Sequence, residues 1–211
     1  MIKILAVSDQ TVERIYSLAT GGHFSDIEFI LGCGDLPYSY LEYLLSVLNK
    51  PLLYVPGNHD PVYDPQNRAS YAEGCSNLDL KTATRQNLLI AGFGGSIRYR
   101  PDGVNQYTQK QAYSRAYRLL PALLLNRLKH GRALDILITH SPPYGIHDEQ
   151  DEIAHQGLKA INFLINWARP QYVFHGHTHF YRQNLADSTT QDGPTTIMNI
   201  FPYKVIELNH E

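Results

Sequence analysis

The stretch Gly57-Asn58-His59-Asp60 follows directly on the apolar run at residues 52–55, and the stretch Gly176-His177-Thr178-His179 follows closely on the run at residues 172–174. The same unit recurs after residues 2–7, 27–31 and 136–139, which lead to Asp9, Asp35 and His140. Runs this short, rich in β-branched residues and bounded by glycine or proline, are typical of buried strands. The sequence therefore predicts five strands that each end near a polar residue able to bind a metal.

Helical patterns lie between several of these strands. Leucines three and four residues apart predict a helix around residues 41–48, which Pro51 stops. A second pattern covers residues 158–168, and residues 106–129 predict a further helix, interrupted or restarted at Pro121. Smaller strands are expected at residues 78–80, 88–91, 195–200 and 204–208. Alternating strands and helices predict an α/β fold, whose ligands bind beyond the carboxyl ends of the strands, so the five polar clusters should converge.

Composition and charge narrow the class of protein. The 211 residues are 43% hydrophobic and 18% charged, which predicts one folded domain over residues 1–211. No apolar run is long enough to cross a membrane, and the first residues turn polar too soon for a secretory signal. Two cysteines make no disulfide framework, so we expect the reducing cytoplasm. The net charge of −2 argues against a stable nucleic-acid complex, although residues 81–132 hold ten basic side chains and one acidic.

The residues at the strand ends form a set of oxygen and nitrogen donors suited to metal ions. The set comprises Asp9, Asp35, Asn58, His59, His140, His177 and His179. Carboxylate, amide oxygen and imidazole together favour a borderline divalent or trivalent metal. Six of these residues could ligate, too many for one tetrahedral zinc, whereas two metals sharing a carboxylate would use them. Two metals about 3.5–4 Å apart can clamp a phosphoryl group and supply a hydroxide at neutral pH.

The order of these motifs resembles that of the calcineurin-like metallophosphoesterases. The family pattern is Asp-x-His, Gly-Asp, Gly-Asn-His followed by Asp or Glu, a lone His, and Gly-His-x-His. The matching positions here are Asp9-Gln10-Thr11, Gly34-Asp35, Gly57-Asn58-His59-Asp60, His140 and Gly176-His177-Thr178-His179. The match extends over residues 1–180. The resemblance implies a four-layer α/β/β/α sandwich that holds two divalent or trivalent ions of manganese, iron or zinc.

The resemblance also implies a role for each of these residues. Asp35 would bridge the two metals. Asp9 and His179 would hold the first metal, and the second would be held by Asn58, His140 and His177. His59 would contact the phosphate and protonate or stabilise the leaving oxygen, as a general acid, while a metal-bridging hydroxide attacks phosphorus in line.

One position departs from the family pattern. Thr11 stands where the family has a metal-binding histidine, and its neutral hydroxyl is a poor ligand. Three outcomes are open: water completes a weaker first site, another side chain such as Gln10 or His147 enters, or the first site stays empty. We expect a working but altered dinuclear site.

The substrate-binding residues are less strongly marked. Gly92-Phe93-Gly94-Gly95-Ser96 lets the backbone approach another chain or a phosphate closely, and Arg98 and Arg100 follow it. Together with Asn58 these arginines are the predicted substrate contacts, for a small phosphoester or a nucleotide-like molecule. The tyrosines and arginines farther along could instead belong to a packed helix with a solvated face. The acidic residues 148–152 could be a lid or a solvated helix start.

Two functions from different classes fit these observations. The first is a metal-dependent phosphoesterase. A phosphodiesterase is favoured over a phosphomonoesterase because the short chain resembles the small bacterial or archaeal phosphodiesterases of the superfamily. The protein-phosphatase stretch Gly-Asp-x-x-Asp-Arg-Gly is missing at Gly34-Asp35, which counts against a protein phosphatase. The second is a non-catalytic interaction scaffold on the same fold, similar to the small metallophosphoesterase-like subunit of the retromer coat. Thr11 favours the scaffold. The retained His59 favours the enzyme.

Overall fold

The computed structural model describes residues 1–180 and 187–209, and its core is built from two mixed sheets. The first sheet has the order β13-β1-β2-β3-β4, and its strands are β1 Ile2–Val7, β2 Phe29–Gly32, β3 Leu52–Tyr54, β4 Ser76–Asn77 and β13 Tyr203–Leu208. Strands β1 to β4 are parallel, and β13 closes one edge antiparallel to β1. All the parallel strands therefore present their carboxyl ends at one edge of the sheet.

The second sheet repeats this plan with six strands. Its order is β11-β12-β10-β9-β6-β5, with β5 Thr82–Arg85, β6 Leu88–Phe93, β9 Ile136–Thr139, β10 Tyr172–His175, β11 Thr189–Asp192 and β12 Thr195–Asn199. The four central strands are parallel, and β5 and β11 are antiparallel edges. A separate ribbon pairs β7 Ser96–Ile97 with β8 Gln106–Tyr107.

Four helices cover the outer faces of the two sheets. Helices α1 Glu13–Thr20 and α2 Tyr38–Leu48 pack on the first sheet, and α3 Gln109–His130 and α4 Lys159–Ala168 pack on the second. Side chains alternate along a strand, so β1 sends Ile4 and Ala6 toward the second sheet and Leu5 and Val7 toward the helices. The fold is therefore the four-layer α/β/β/α sandwich that the sequence predicts.

Helix α3 differs from the sequence prediction because it runs unbroken through Pro121. A capping box starts it, in which the Thr108 side chain accepts from Gln111 N and the Gln111 side chain accepts from Thr108 N. Buried Leu119 and Leu123 anchor the turns on either side of the exposed proline. Packing on both sides thus outweighs the one main-chain hydrogen bond that a proline removes.

The strand expected at residues 78–80 is also misplaced. Pairing occurs at Ser76–Asn77 instead, because Leu80 adopts a left-handed φ of 55° that a strand cannot continue through. Helix α1 and the polar edge strands β5 and β11 are absent from the sequence prediction. Among the described residues, no helix is long and apolar enough to cross a membrane.

Candidate metal centre

Both sheets deliver their polar strand ends to one cleft, as the sequence predicts. Asp9, Asp35 and Asn58 follow β1, β2 and β3 of the first sheet, and His140, His177 and His179 follow β9 and β10 of the second. Among the six predicted metal ligands, every oxygen donor therefore comes from the first sheet and every imidazole from the second. Five of these residues, all but His140, line a cleft of about 320 Å³ together with His59.

Four donor atoms crowd together at the predicted second metal site. His140 Nε2 lies 3.0 Å from Asn58 Oδ1, 3.1 Å from His177 Nδ1 and 3.3 Å from Asp35 Oδ2. The side chains of His140 and His177 are buried. An amide oxygen, a carboxylate and two imidazoles at such spacing are suited to surround a single cation.

Main-chain carbonyls orient both imidazoles of this cluster. His140 Nδ1 donates to Cys33 O at 2.9 Å, and His177 Nε2 donates to Ala154 O at 2.7 Å. A neutral ring that donates from one nitrogen keeps the lone pair of the other, so His140 Nε2 and His177 Nδ1 can both face an ion as ligands. Because Asn58 Nδ2 donates to Tyr99 Oη at 3.2 Å, the Asn58 oxygen also faces the cluster.

The charges of the cluster show how strongly this position favours a cation. Burial opposes a charge on His140, but the Asp35 carboxylate outweighs it and raises the pKa of His140 to about 10. Burial likewise raises the pKa of Asp35, yet His140 outweighs that effect and lowers it to about 2. Burial and the neighbouring His140 lower the pKa of His177 to about 3. The proton that His140 carries lies among these acceptor atoms, at the position that suits a metal ion.

The predicted first metal site lies beside Asp9 and is more open. The Asp9 carboxylate accepts from His177 N at 3.0 and 3.1 Å and from Ser8 Oγ, and burial raises its pKa. His179 Nε2 lies 3.9 Å from Asp9 Oδ1, and the His179 ring stacks on Phe201. Two carboxylates and one imidazole suit a hard or borderline ion whose remaining positions are taken by water.

The two side chains considered as substitutes for the family histidine differ in their surroundings. His147 Nδ1 bonds to His175 Nε2 at 2.8 Å, and His147 Nε2 bonds to Thr190 Oγ1 at 2.8 Å. His147 is therefore engaged away from the cleft, and His175 is a hydrogen-bonded core residue. Gln10 is exposed beside Asp9.

Tight backbone turns bring these side chains into the cleft. Asp9, Asp35 and His177 all have positive φ angles, of 62°, 54° and 69°. Such conformations cost free energy in residues other than glycine and cluster at functional sites. Gly57 leaves room for Asp35, because an alanine Cβ at position 57 would lie 2.5 Å from Asp35 Cγ.

The remaining member of the Gly-Asn-His-Asp motif holds the turn together. The buried Asp60 carboxylate accepts from Gly57 N at 2.7 Å and Asp35 N at 2.9 Å. Burial raises the pKa of Asp60 to about 6. Asp60 therefore positions the Asp35 loop and is not one of the converging donors.

The predicted general acid stands at the mouth of the cleft. The His59 side chain is 68% exposed, and its Nε2 lies 3.9 Å from Asp35 Oδ2. His59 N donates to Asp35 Oδ1 at 2.8 Å, which fixes the backbone under the ring. An accessible imidazole at this distance can reach a substrate bound at the cluster.

The two predicted arginines have different environments. Arg100 is exposed and lines a second cavity, of about 630 Å³, which shares Asn58, His59 and Tyr99 with the cleft. The Arg98 guanidinium instead donates to Gln106 O at 3.1 and 3.3 Å and ties the β7–β8 ribbon together. Arg98 lines neither cavity, so the structure gives less support to the prediction that Arg98 contacts the substrate.

Several residues that the sequence did not single out also shape the site. Asn105 Nδ2 donates to Gly57 O at 3.1 Å and Asp60 O at 2.9 Å, joining the ribbon to the His59 turn. His155 lines the cleft, and its Nδ1 lies within 3.3 Å of Glu149 and Glu152 carboxylate oxygens. Two of the acidic residues 148–152 thus contact a residue that lines the cleft. No sequence motif marks Asn105, because its partners are distant main-chain atoms.

The comparisons with known proteins identify the class to which this fold and site belong. The chain is a member of the calcineurin-like phosphoesterase family, whose model matches residues 4–181. Members of this family depend on a dinuclear metal centre, and the converging Asp35, His140 and His177 are candidate ligands for it.

Individual relatives are distant. An uncharacterized protein of Methanocaldococcus jannaschii is 24% identical over 212 residues, covering 95% of this chain and 88% of that protein. The crystal structure of a Thermus thermophilus protein is similar with a TM-score of 0.59 at 19% identity, over 94% of this chain and 88% of that one. Vacuolar protein sorting 29 from Cryptosporidium parvum gives a TM-score of 0.44 at 11% identity, over 94% and 73%. At 19% identity, the similarity to the Thermus thermophilus structure bears on the fold alone.

Proposed function

We propose that this protein hydrolyses small or nucleotide-like phosphoesters with two bound metal ions, and that phosphodiesters are its preferred substrates. The observation that carries the proposal is the cluster around His140 Nε2, where three further donor atoms lie within 3.3 Å. Carbonyl bonds on the far sides of both rings leave His140 Nε2 and His177 Nδ1 facing one point, which they share with a carboxylate and an amide oxygen. We further propose that the protein works in the cytoplasm.

The donor set fits the metals that the family uses. Asn58, His140, His177 and Asp35 would hold one ion, and Asp9, His179 and Asp35 the other, with manganese, iron or zinc as candidates. Bound ions would supply positive charge at the phosphoryl group and lower the pKa of water to make a nucleophile near neutral pH.

The side chains at the mouth of the cleft supply the rest of the chemistry. His59 is placed to donate a proton to the leaving oxygen, because its ring is exposed beside the cluster. The Tyr99 hydroxyl accepts from Asn58 and can donate its own proton to a phosphate oxygen. Arg100 adds positive charge on the same side. Together these residues would bind and orient the ester while the donor cluster holds the metals.

The experiment is hydrolysis of an aryl phosphodiester and the matching monoester by metal-stripped protein titrated with manganese. Turnover should saturate with manganese, favour the diester and disappear in His140→Ala. In His59→Ala, turnover should fall by about 10²–10⁴-fold while manganese binding is retained, because that residue donates a proton and binds no metal. A His59→Ala variant with full turnover would remove the proton-donor role.

A non-catalytic scaffold is the second candidate, and Thr11 at the family's histidine position is the observation that favours it. Under this alternative, no metal at any concentration would produce turnover, although the fold would remain stable. Restoring the family residue with Thr11→His separates the two candidates, because an enzyme with a weak first site should then bind its first metal more tightly and turn over faster.

A further inference from the structure

The cavity beside His59 is not used by the metal chemistry. It has a volume of about 630 Å³ and opens into the cleft, since both are lined by Asn58, His59 and Tyr99. Its other walls include the rings of Pro61 and Pro101 and the side chain of Val104. A space of this size, next to the exposed imidazole, can hold a two-ring organic group.

The cavity is built on a supported loop. Gln106 is buried, and its side-chain oxygen accepts from Tyr99 N at 3.3 Å and Arg100 N at 3.1 Å. Asn105 ties the same ribbon to the turn that carries His59. The walls of the cavity and the imidazole are therefore held in one frame, which is the condition for a specific binding site.

The surfaces of the cavity match a flat, mostly apolar ligand. Tyr99 offers an aromatic wall and its ring is paired with the Arg100 guanidinium, whose carbon lies 5.4 Å from the ring centre. Proline rings and the aliphatic Val104, which is 42% exposed, offer apolar contacts. A planar ring can stack on such walls, whereas a small alkyl group would leave most of the space to water.

We propose that this cavity is the subsite for the leaving alcohol, and that it selects esters whose leaving alcohol carries a planar ring system. The inference rests on the proposed hydrolysis, in which His59 protonates the oxygen of the leaving alcohol. The part of the substrate that lies beside His59 is therefore the leaving alcohol. In the balanced reaction, water adds to phosphorus, the bond between phosphorus and the ester oxygen breaks, and the alcohol leaves with a proton. The ring of that alcohol lies against Tyr99 and Val104.

The test compares methyl phenyl phosphate with methyl 2-naphthyl phosphate, whose leaving alcohols have similar acidity but different size. The native protein should favour the naphthyl ester by about tenfold in kcat/KM, because an added ring in an apolar pocket is worth about that much. Val104→Trp fills the cavity and should bring the ratio close to one. Leu128→Trp is the matched control, because Leu128 is 76% exposed on α3 and does not line the cavity.

A second measurement separates this inference from the proposed hydrolysis. Binding of 2-naphthol itself to the metal-stripped protein, followed by its fluorescence, should weaken at least about fivefold in Val104→Trp and stay unchanged in Leu128→Trp. If naphthol binds in this way but no ester is cleaved, the subsite stands and the hydrolysis proposal falls. If esters are cleaved but Val104→Trp changes neither the naphthyl preference nor naphthol binding, the subsite is overturned.

Discussion

Replacing Gly57 with alanine tests whether the Asp35 carboxylate occupies the space that this glycine leaves. The added Cβ would lie 2.5 Å from Asp35 Cγ and 2.6 Å from Asp35 N, whereas Cβ contacts are essentially never shorter than 3.0 Å. Asp35 Oδ1 would lie closer still to the added Cβ, so the Asp35 side chain must retreat by about 1 Å, which exceeds the roughly 0.5 Å within which a functional site has to be held.

The size of the effect follows from this overlap. Overpacking of a tight site costs about 2 kcal/mol, which lowers Tm by about 4–8 °C in a protein of this length. Because Asp35 is expected to contribute to both metal sites, we expect Gly57→Ala to weaken manganese binding about 100-fold. Calorimetric titration of manganese and a thermal melt of the metal-stripped protein measure the two quantities.

Gly131→Ala is the matched control for Gly57→Ala. Gly131 has a φ of 73°, and among the described residues an added Cβ would meet no atom within 4 Å. Its replacement should cost about 1–2 kcal/mol of stability through backbone strain and leave manganese affinity intact. If Gly57→Ala binds manganese as tightly as Gly131→Ala does, the argument that Gly57 makes room for Asp35 is wrong.

Three other predictions concern the surroundings of the cluster. Arg100→Ala should raise KM for phosphoesters several-fold, because Arg100 lines the cavity beside the cleft. Arg98→Ala should mainly lower Tm, because the charged hydrogen bonds of Arg98 to Gln106 O are worth about 1.5–3 kcal/mol. Steady-state kinetics and thermal melts of both variants would show whether the pattern is reversed. Asn105→Ala should lower kcat/KM about tenfold without changing manganese affinity, because the substitution frees the His59 turn from the β7–β8 ribbon. A proportional loss of manganese binding would contradict this prediction. The folded-state pKa of His140 is raised to about 10, so its stabilising effect is full below its ordinary pKa and lost as pH rises through 10. The Tm of the metal-stripped protein should therefore fall between pH 7 and 9.5, and a flat profile over that range would refute the assignment.

The metal-ligand candidates could be predicted from the sequence because each follows a short apolar strand directly. Asp9, Asp35 and His140 stand at such ends, and parallel strands bring those ends to one edge whatever the details of packing. The edge strand Thr82–Arg85 and the hairpin strand Thr189–Asp192 could not be found in the same way. Their residues are largely polar and half-exposed, so no apolar run marks them.

The orientation of the ligands lies beyond sequence reasoning. His140 is turned by the carbonyl of Cys33 and His177 by that of Ala154, and every residue has a carbonyl, so no residue type signals these bonds. Arg98 and Arg100 differ for a similar reason. They are two positions apart in the sequence. The pairing of β7 with β8 brings Arg98 to Gln106 O, and no feature of the sequence marks that contact.

The division of donors between the sheets has a consequence for how a metal is chosen. Among the six predicted metal ligands, the oxygen donors end with Asn58 and the imidazoles begin at His140, so each sheet supplies one kind of donor. Hard oxygen donors alone suit magnesium or calcium, while the added imidazoles turn the preference toward manganese, iron or zinc. The preference for manganese, iron or zinc therefore depends on the packing of the second sheet against the first, because neither sheet alone supplies both kinds of predicted ligand.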